Sequence, residues 1–230
     1  RKTLGDHHSD TLTSINNMGT LLQVMGKLEE AGPLHEEALQ AKRKTLGDRH
    51  ASTLLSISNM GALLKDMGQL EEARPLLEEA MQARRETLGD RHPDTLASIN
   101  NMGTLLQVMG KLEEARPLHE EALQAKKETL GDRHPSTLAS ISNMGALLMD
   151  MGELKEAGPL LLEVVQACKE TLGDRHPNTL STTGNMADLL RTTGSLAEAE
   201  LILGNAEAVA REVLGNDHAT TLKITAIAAR

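Results

Sequence analysis

Phenylalanine, tyrosine and tryptophan are absent from all 230 residues. Aromatic rings supply much of the buried area in most cores, so Leu, Ile, Met and Ala must fill this one. The eleven methionines help, because an unbranched thioether fills irregular gaps. Cysteine is nearly absent too: Cys168 stands alone, which excludes an intramolecular disulfide and suggests a reducing compartment or no constraint at all, so a cytoplasmic setting is expected. No apolar run approaches the ~20 residues that span a bilayer, and no signal-peptide pattern precedes the first motif, so a membrane partner is not expected. The formal net charge is -9, with both signs interleaved and no basic stripe to release counterions from a nucleic-acid backbone. Nucleic acid is therefore excluded as the expected partner. Strand signals are missing as well, since β-branched residues nowhere alternate with polar ones.

What is present is a repeat. Gly5, Gly47, Gly89, Gly131, Gly173 and Gly215 are each 42 residues apart, with no insertion or deletion between them. Such arrays stack copies of one supersecondary unit, each burying its apolar face against its neighbours. The register predicts one domain over residues 1–230, with repeats at about 8–49, 50–91, 92–133, 134–175 and 176–217 and a partial repeat at 218–230. A longer period is superimposed. Residues 14–50 differ from 98–134 at three of 37 positions but from 56–92 at ten, so the array grew by duplicating pairs.

Within the third unit, Leu96, Ile99, Met102, Gly103, Leu106 and Met109 recur at spacings of three and four, one face of an amphipathic helix. His92-Pro93 sets its start, because proline suits the first helical turn and pushes the preceding residue out of helical geometry. Gly110 ends it. A second helix carries Leu112, Ala115, Leu118, Ala122 and Ala125 on its apolar face, with glutamates early and Lys126 and Lys127 late, an order that complements the helix dipole. Gly131 ends this helix as a left-handed cap, and Pro117 kinks it. Helices A and B, repeated five times with a partial sixth, predict an all-α, right-handed α-solenoid.

These residues resemble the tetratricopeptide repeat in its 42-residue, kinesin-light-chain-like form. The resemblance rests on the small residue of helix A (Gly19, Gly61, Gly103, Gly145 and Ala187), the Gly-x-Leu-x-x-Ala turn from Gly110 to Ala115, and Ala38, Ala80, Ala122 and Ala206. His-Pro before helix A, Asn-Asn-Met-Gly at Asn100 to Gly103 and Glu-Ala-Arg-Pro-Leu at Glu114 to Leu118 are its more specific marks. It departs from the family where Leu106, Leu112 and His119 or Leu77 replace expected aromatics, and where Val164 replaces the alanine.

The resemblance implies that the A helices line a concave surface and that Asn17, Asn59, Asn101, Asn143 and Asn185 bond the backbone of an extended peptide. An amide can pair with a peptide group of any sequence. The alternative is that each Asn bonds a neighbouring repeat and was copied with its unit. Flanking positions such as Thr13, Leu55, Ala97, Thr20, Ala62 and Thr104 are small and nearly uncharged, so the cations that would clamp a terminal carboxylate are missing. Gly-Asp-Arg-His at Gly47, Gly89, Gly131 and Gly173 is not a metal site, because ligands must meet around one ion at ~2 Å and copies lie at least a helix diameter apart. His92 is expected at the helix entry, with Asp90 and Arg91 in loop hydrogen bonds, and His35 and His119 as packing residues. No nucleophile-base arrangement survives, so no catalytic residue, metal or cofactor is expected. The expected function is a protein-protein interaction scaffold, with a self-associating array as the rival. Arg1 to Leu4 repeats the end of a helix B, and Thr220 to Ala229 reads as a lone helix A. Bare ends of this kind lead us to expect a head-to-tail or swapped homo-oligomer.

Overall fold

The computed structural model describes residue 5 and residues 8–229; the expected helix-B remnant at Arg1 to Leu4 lies outside them. Among the described residues the chain forms eleven α-helices and no strand. They fall into two compact units, Arg1–Gly110 and Lys111–Arg230. The first unit contains α1 (Ser9–Val24), α2 (Leu28–Leu46), α3 (Ala51–Asp66), α4 (Leu70–Leu88) and α5 (Pro93–Val108). The second contains α6 (Leu112–Leu130), α7 (Pro135–Asp150), α8 (Leu154–Leu172), α9 (Pro177–Thr192), α10 (Leu196–Leu214) and α11 (Ala219–Ala228). Within each unit, successive helices pack as antiparallel hairpins, an A helix against the B helix that follows it and that B helix against the next A.

The hairpin turn follows from local chemistry. After α1 the chain passes Met25 and enters Gly26 at φ 74°. There the Gly26 N–H donates to the Gln23 carbonyl at 3.0 Å and the Lys27 N–H to the Leu22 carbonyl at 2.9 Å. This crossed pair is a Schellman motif, which satisfies the last carbonyls of the helix and requires a positive φ that glycine supplies without strain. The same pair recurs after α3. The other glycine, between helix B and the next helix A, behaves differently from expectation. Gly131 has φ 87° and ψ 161°, outside the left-handed helical region and inside one that only glycine occupies freely. The chain therefore leaves helix B extended instead of curling into a cap.

The core sits in seams between helices. In the first unit Leu12, Ile15 and Ala38 form one cluster, and Leu39, Leu54, Ile57, Ala80 and Ala83 a second. In the second unit Leu180, Ala187, Leu203, Ala206, Ala210, Ile224 and Ile227 close round α10. Leu118, expected on the helix B seam, is only half-buried, while His119 and Lys126 are buried beside Ala115, Ala122 and Ala125.

Without aromatic rings, A and B helices meet at very short range. A methyl group built on Gly61 would come within 2.7 Å of Leu77 Cδ2, and one on Gly145 within 2.6 Å of Leu161 Cδ2. His35 takes the leucine's place over Gly19, where a methyl would meet its ring at 3.0 Å. His35 and His119 are wholly buried, which bears out their reading as packing residues. Replacing Gly61 with alanine is expected to overpack this seam and cost about 1–3 kcal/mol, measured by urea denaturation. An unchanged midpoint would mean that Leu77 swings aside freely.

Candidate binding surface

The five expected asparagines lie on A helices, but their surroundings differ. In the first unit Asn17 is exposed, and Asn59 and Asn101 are half-buried. Asn59 Nδ2 points at Thr20 Oγ1 on α1, 3.5 Å away. One turn further along, Gln23 Nε2 donates to Asp66 Oδ2 at 2.6 Å. The asparagine of α3 thus stands on the side where successive A helices meet. Its neighbours are short: Thr13 and Thr20 are exposed, Ala62 and Thr104 half-buried, and Leu55, the one large side chain among them, is 48% exposed.

In the second unit Asn143 is half-buried, but Asn185 is buried and bonded through both its nitrogen and its oxygen. Its Nδ2 donates to Ser142 Oγ on α7 at 3.0 Å, and its Oδ1 accepts from Lys223 Nζ on α11 at 2.6 Å. This amide ties three A helices together. Residue 227, the next in that register, is a buried isoleucine.

A second set of polar residues, on the B helices, escaped the sequence reasoning. Lys42, Arg84 and Lys126 are 1%, 6% and 5% exposed, although burying a charge is costly unless it is bonded. Lys42 Nζ donates to Ser56 Oγ at 3.0 Å and to the Ser52 carbonyl at 3.4 Å. The Ser56 hydroxyl in turn donates to Asn16 Oδ1 at 3.3 Å, and His35 Nδ1 lies 3.3 Å from the same oxygen. Arg84 Nη1 donates to Ser58 Oγ at 3.0 Å and also to Ser98. Lys126 Nζ donates to Ser140 Oγ at 2.8 Å. Burial pushes the pKa of all three cations down, and for Arg84 the charge of Asp94 acts against that shift. Cys168 occupies the same register. Burial raises its thiol pKa, while a hydrogen bond with Thr182 opposes the rise. The available signal was the pairwise alternation of the copies: Asn16, His35 and Lys42 in one kind of repeat answer Ser58, Leu77 and Arg84 in the other.

The Gly-Asp-Arg-His motif resolves into four structural roles. Histidine caps the following helix, with His92 Nδ1 accepting from the Asp94 N–H at 3.2 Å. Aspartate answers a cation on the preceding helix B, as Asp90 does Arg85 at 2.9 Å. Arginine reaches past its own loop to a glutamate on the next helix B, Arg49 to Glu86 in the first unit and Arg133 to Glu170 in the second. Glycine supplies the extended positive-φ step. An open cleft of about 340 Å³ beside Arg49 is walled by Asp48, Glu79 and Glu86. Those carboxylates are already paired with Arg43 and Arg49.

Antiparallel helix pairs of fixed length, joined by a Gly turn and seated on a small residue of helix A, define an α-helical repeat protein. The Tetratricopeptide repeat family model matches residues 10–64, 52–127, 95–147 and 136–212, and the chain belongs to that family, in its kinesin-light-chain-like form. Among solved structures it is similar to a Podosopora anserina protein described as a kinesin light chain with nearly identical TPR-like repeats. That match has 30% identity and a TM-score of 0.68, and covers 89% of this chain and 97% of that one. BtubC (BKLC) from P. vanneervenii shares the fold at 19% identity and a TM-score of 0.69, over 90% of this chain and 82% of that one. NprR in complex with its cognate peptide NprX does so at 16% identity and a TM-score of 0.75, over 94% of this chain and 60% of that one. No curated protein matches the chain in sequence.

The buried network makes the fold sensitive to acid. Burial lowers the pKa of His35 below its ordinary value of 6.5, so the unfolded chain takes up a proton at a pH where the folded chain does not. The associated stability is complete above 6.5 and declines as pH falls through the depressed folded value. His35→Leu, which copies Leu77, is expected to remove this part of the pH dependence, as read from urea midpoints at successive pH values. A variant with an unaltered acid slope would show that His35 is not its source.

Proposed function

We propose that the chain is a non-catalytic protein-protein interaction scaffold whose A helices hold an extended peptide or protein segment through Asn17, Asn59, Asn101 and Asn143. The observation that carries this reading is that these four amides are exposed or half-buried among mostly short, uncharged neighbours, while Asn185 is buried and bonded to two other helices. An amide offers both donors and an acceptor to a peptide backbone, and the near absence of charge beside it favours recognition of main chain over a charged terminus. NprR, which shares the fold, was solved in complex with its cognate peptide, which supports a peptide as the kind of ligand. Asn185 then serves as a fixed strut, not a rung. No cofactor or metal takes part, and the lone buried thiol accords with a cytoplasmic setting.

A second reading is self-association. On α1, Met18, Leu21, Val24 and Met25 are each about half exposed, whereas Leu63, Met102, Leu105, Met144 and Leu147, in the registers of Met18 and Leu21, are buried. Leu222 on α11 is 55% exposed. An apolar strip of this kind fits a helix from a second copy, in a head-to-tail or swapped arrangement.

Two experiments separate the readings. Replacing Asn59, Asn101 and Asn143 with alanine is expected to weaken a peptide selected from a library by about 1 kcal/mol per site, with little change in melting temperature. Asn185→Ala is expected to lower the melting temperature instead. A triple variant that binds undiminished, or that unfolds early, would defeat the ladder. For self-association, sedimentation should show mass rising with concentration, and Leu21→Glu should abolish the rise; a constant mass for the unaltered chain refutes it.

A further inference from the structure

Every helix A among the described residues begins at a histidine used in one way. The Nδ1 atoms of His8, His50, His92, His134, His176 and His218 accept the backbone N–H of the residue two positions on, at 3.1 to 3.2 Å. All six residues have extended backbone, with φ between -73° and -67° and ψ between 137° and 139°. This is the conformation of a side-chain N-cap. The usual capping oxygens of Ser, Thr and Asn keep their acceptor at any moderate pH. An imidazole keeps its acceptor only while Nδ1 is unprotonated. All six rings are exposed or half-buried, so protons reach them without unfolding.

We propose that the six histidines form an acid-sensitive catch: unprotonated they hold the first turn of every A helix, and protonated they release it. A proton on Nδ1 replaces the acceptor with a second donor facing the amide N–H. It also places a positive charge at the positive end of the helix dipole, where cations are disfavoured. The B helices lack the device. None of the five has a side-chain cap hydrogen bond, so this catch acts on one kind of helix only.

The rings differ in the charges beside them. At His8 the Asp10 carboxylate lies 3.7 Å from Nδ1, and Asp94 holds the same position in sequence after His92. These carboxylates offset the imidazolium charge. The corresponding residues after the other caps are Ser52, Ser136, Asn178 and Thr220, which do not. The loop carboxylates before the rings are engaged by the preceding helix B: Asp48 by Arg43, Asp90 by Arg85, Asp132 by Lys127 and Asp174 by Lys169. On the other side Arg49, Arg133 and Arg175, each adjacent to its histidine, face Glu86, Glu170 and Glu212 of the following helix B. Asp217 stands next to His218. These neighbours surround the rings without replacing Nδ1 as the acceptor of the cap hydrogen bond.

The test uses the full chain carrying His35→Leu and His119→Leu, which removes both buried imidazoles as sources of acid sensitivity. Amide exchange is followed by nuclear magnetic resonance from about pH 7.5 to about pH 5, a range in which histidine is the side chain that ordinarily changes charge, and is corrected for the intrinsic pH dependence of exchange. The amides of Ser52, Ser136 and Asn178 should lose about tenfold or more in protection as the imidazole nitrogen signals report protonation. Those of Asp10, Asp94 and Thr220 should follow, because they lose the same acceptor. Replacing all six histidines with asparagine, a cap that does not titrate, should flatten the profile. Protection that stays constant while the rings take up protons would overturn the proposal, as would an unchanged profile in the asparagine variant. If the sixfold variant does not fold, His50→Asn and His134→Asn decide the question for α3 and α7 alone.

Discussion

The contact between a glycine on helix A and a branched or ring side chain on helix B governs the structure. With no aromatic residue available, buried area has to come from bringing backbones close, and Gly61 over Leu77 or Gly19 over His35 shows how little space is left. Close-packed interiors tolerate small volume errors poorly, so this contact fixes the spacing of each hairpin and the register between its helices. The position also accounts for the fifth hairpin, where Ala187 replaces glycine and Leu203 still packs beside it.

From that spacing the polar residues acquire their roles. Once helices are this close, side chains at the seam are sealed from water, and any that are polar must find partners inside. Lys42, Arg84 and Lys126 find them in serine hydroxyls, and Asn185 in Ser142 and Lys223. Residues that look alike in sequence thus divide. Asn17 meets solvent, while Asn185 is locked among three helices. The proposed ligand surface is what remains after the fold has taken the amides it needs.

Much of the fold was legible in advance. His-Pro and the two glycines of each period bounded the helices, because proline, a capping side chain and positive-φ glycine act locally and need no knowledge of distant contacts. The buried cations were not legible, since lysine and arginine ordinarily lie outside. Only their place in the stripe Ala31, His35, Ala38, Lys42, and their alternation between copies, set them apart. Arg49 and its equivalents were assigned to their own loops for a related reason. Their partners lie 37 residues away, a separation that local rules do not reach. For the asparagines the difficulty is different: five identical residues at identical spacing have unequal exposure, because the neighbouring repeats that cover them are not identical.

The serine that receives each buried cation has a consequence for how such an array changes length. Ser56, Ser98 and Ser140 hold the same position at the start of successive hairpins, and Thr182 keeps the hydroxyl in the next. Whichever kind of repeat comes before, the one that follows offers the same socket. Of the features that differ between the two kinds, Asn16 takes its hydrogen bond from that same serine, and His35 or Leu77 packs on the glycine of its own hairpin. Removing or inserting one 42-residue copy therefore leaves no cation stranded at the new joint, and a gene built of near-identical copies can slip by one unit during recombination and still encode a chain whose buried charges are all met.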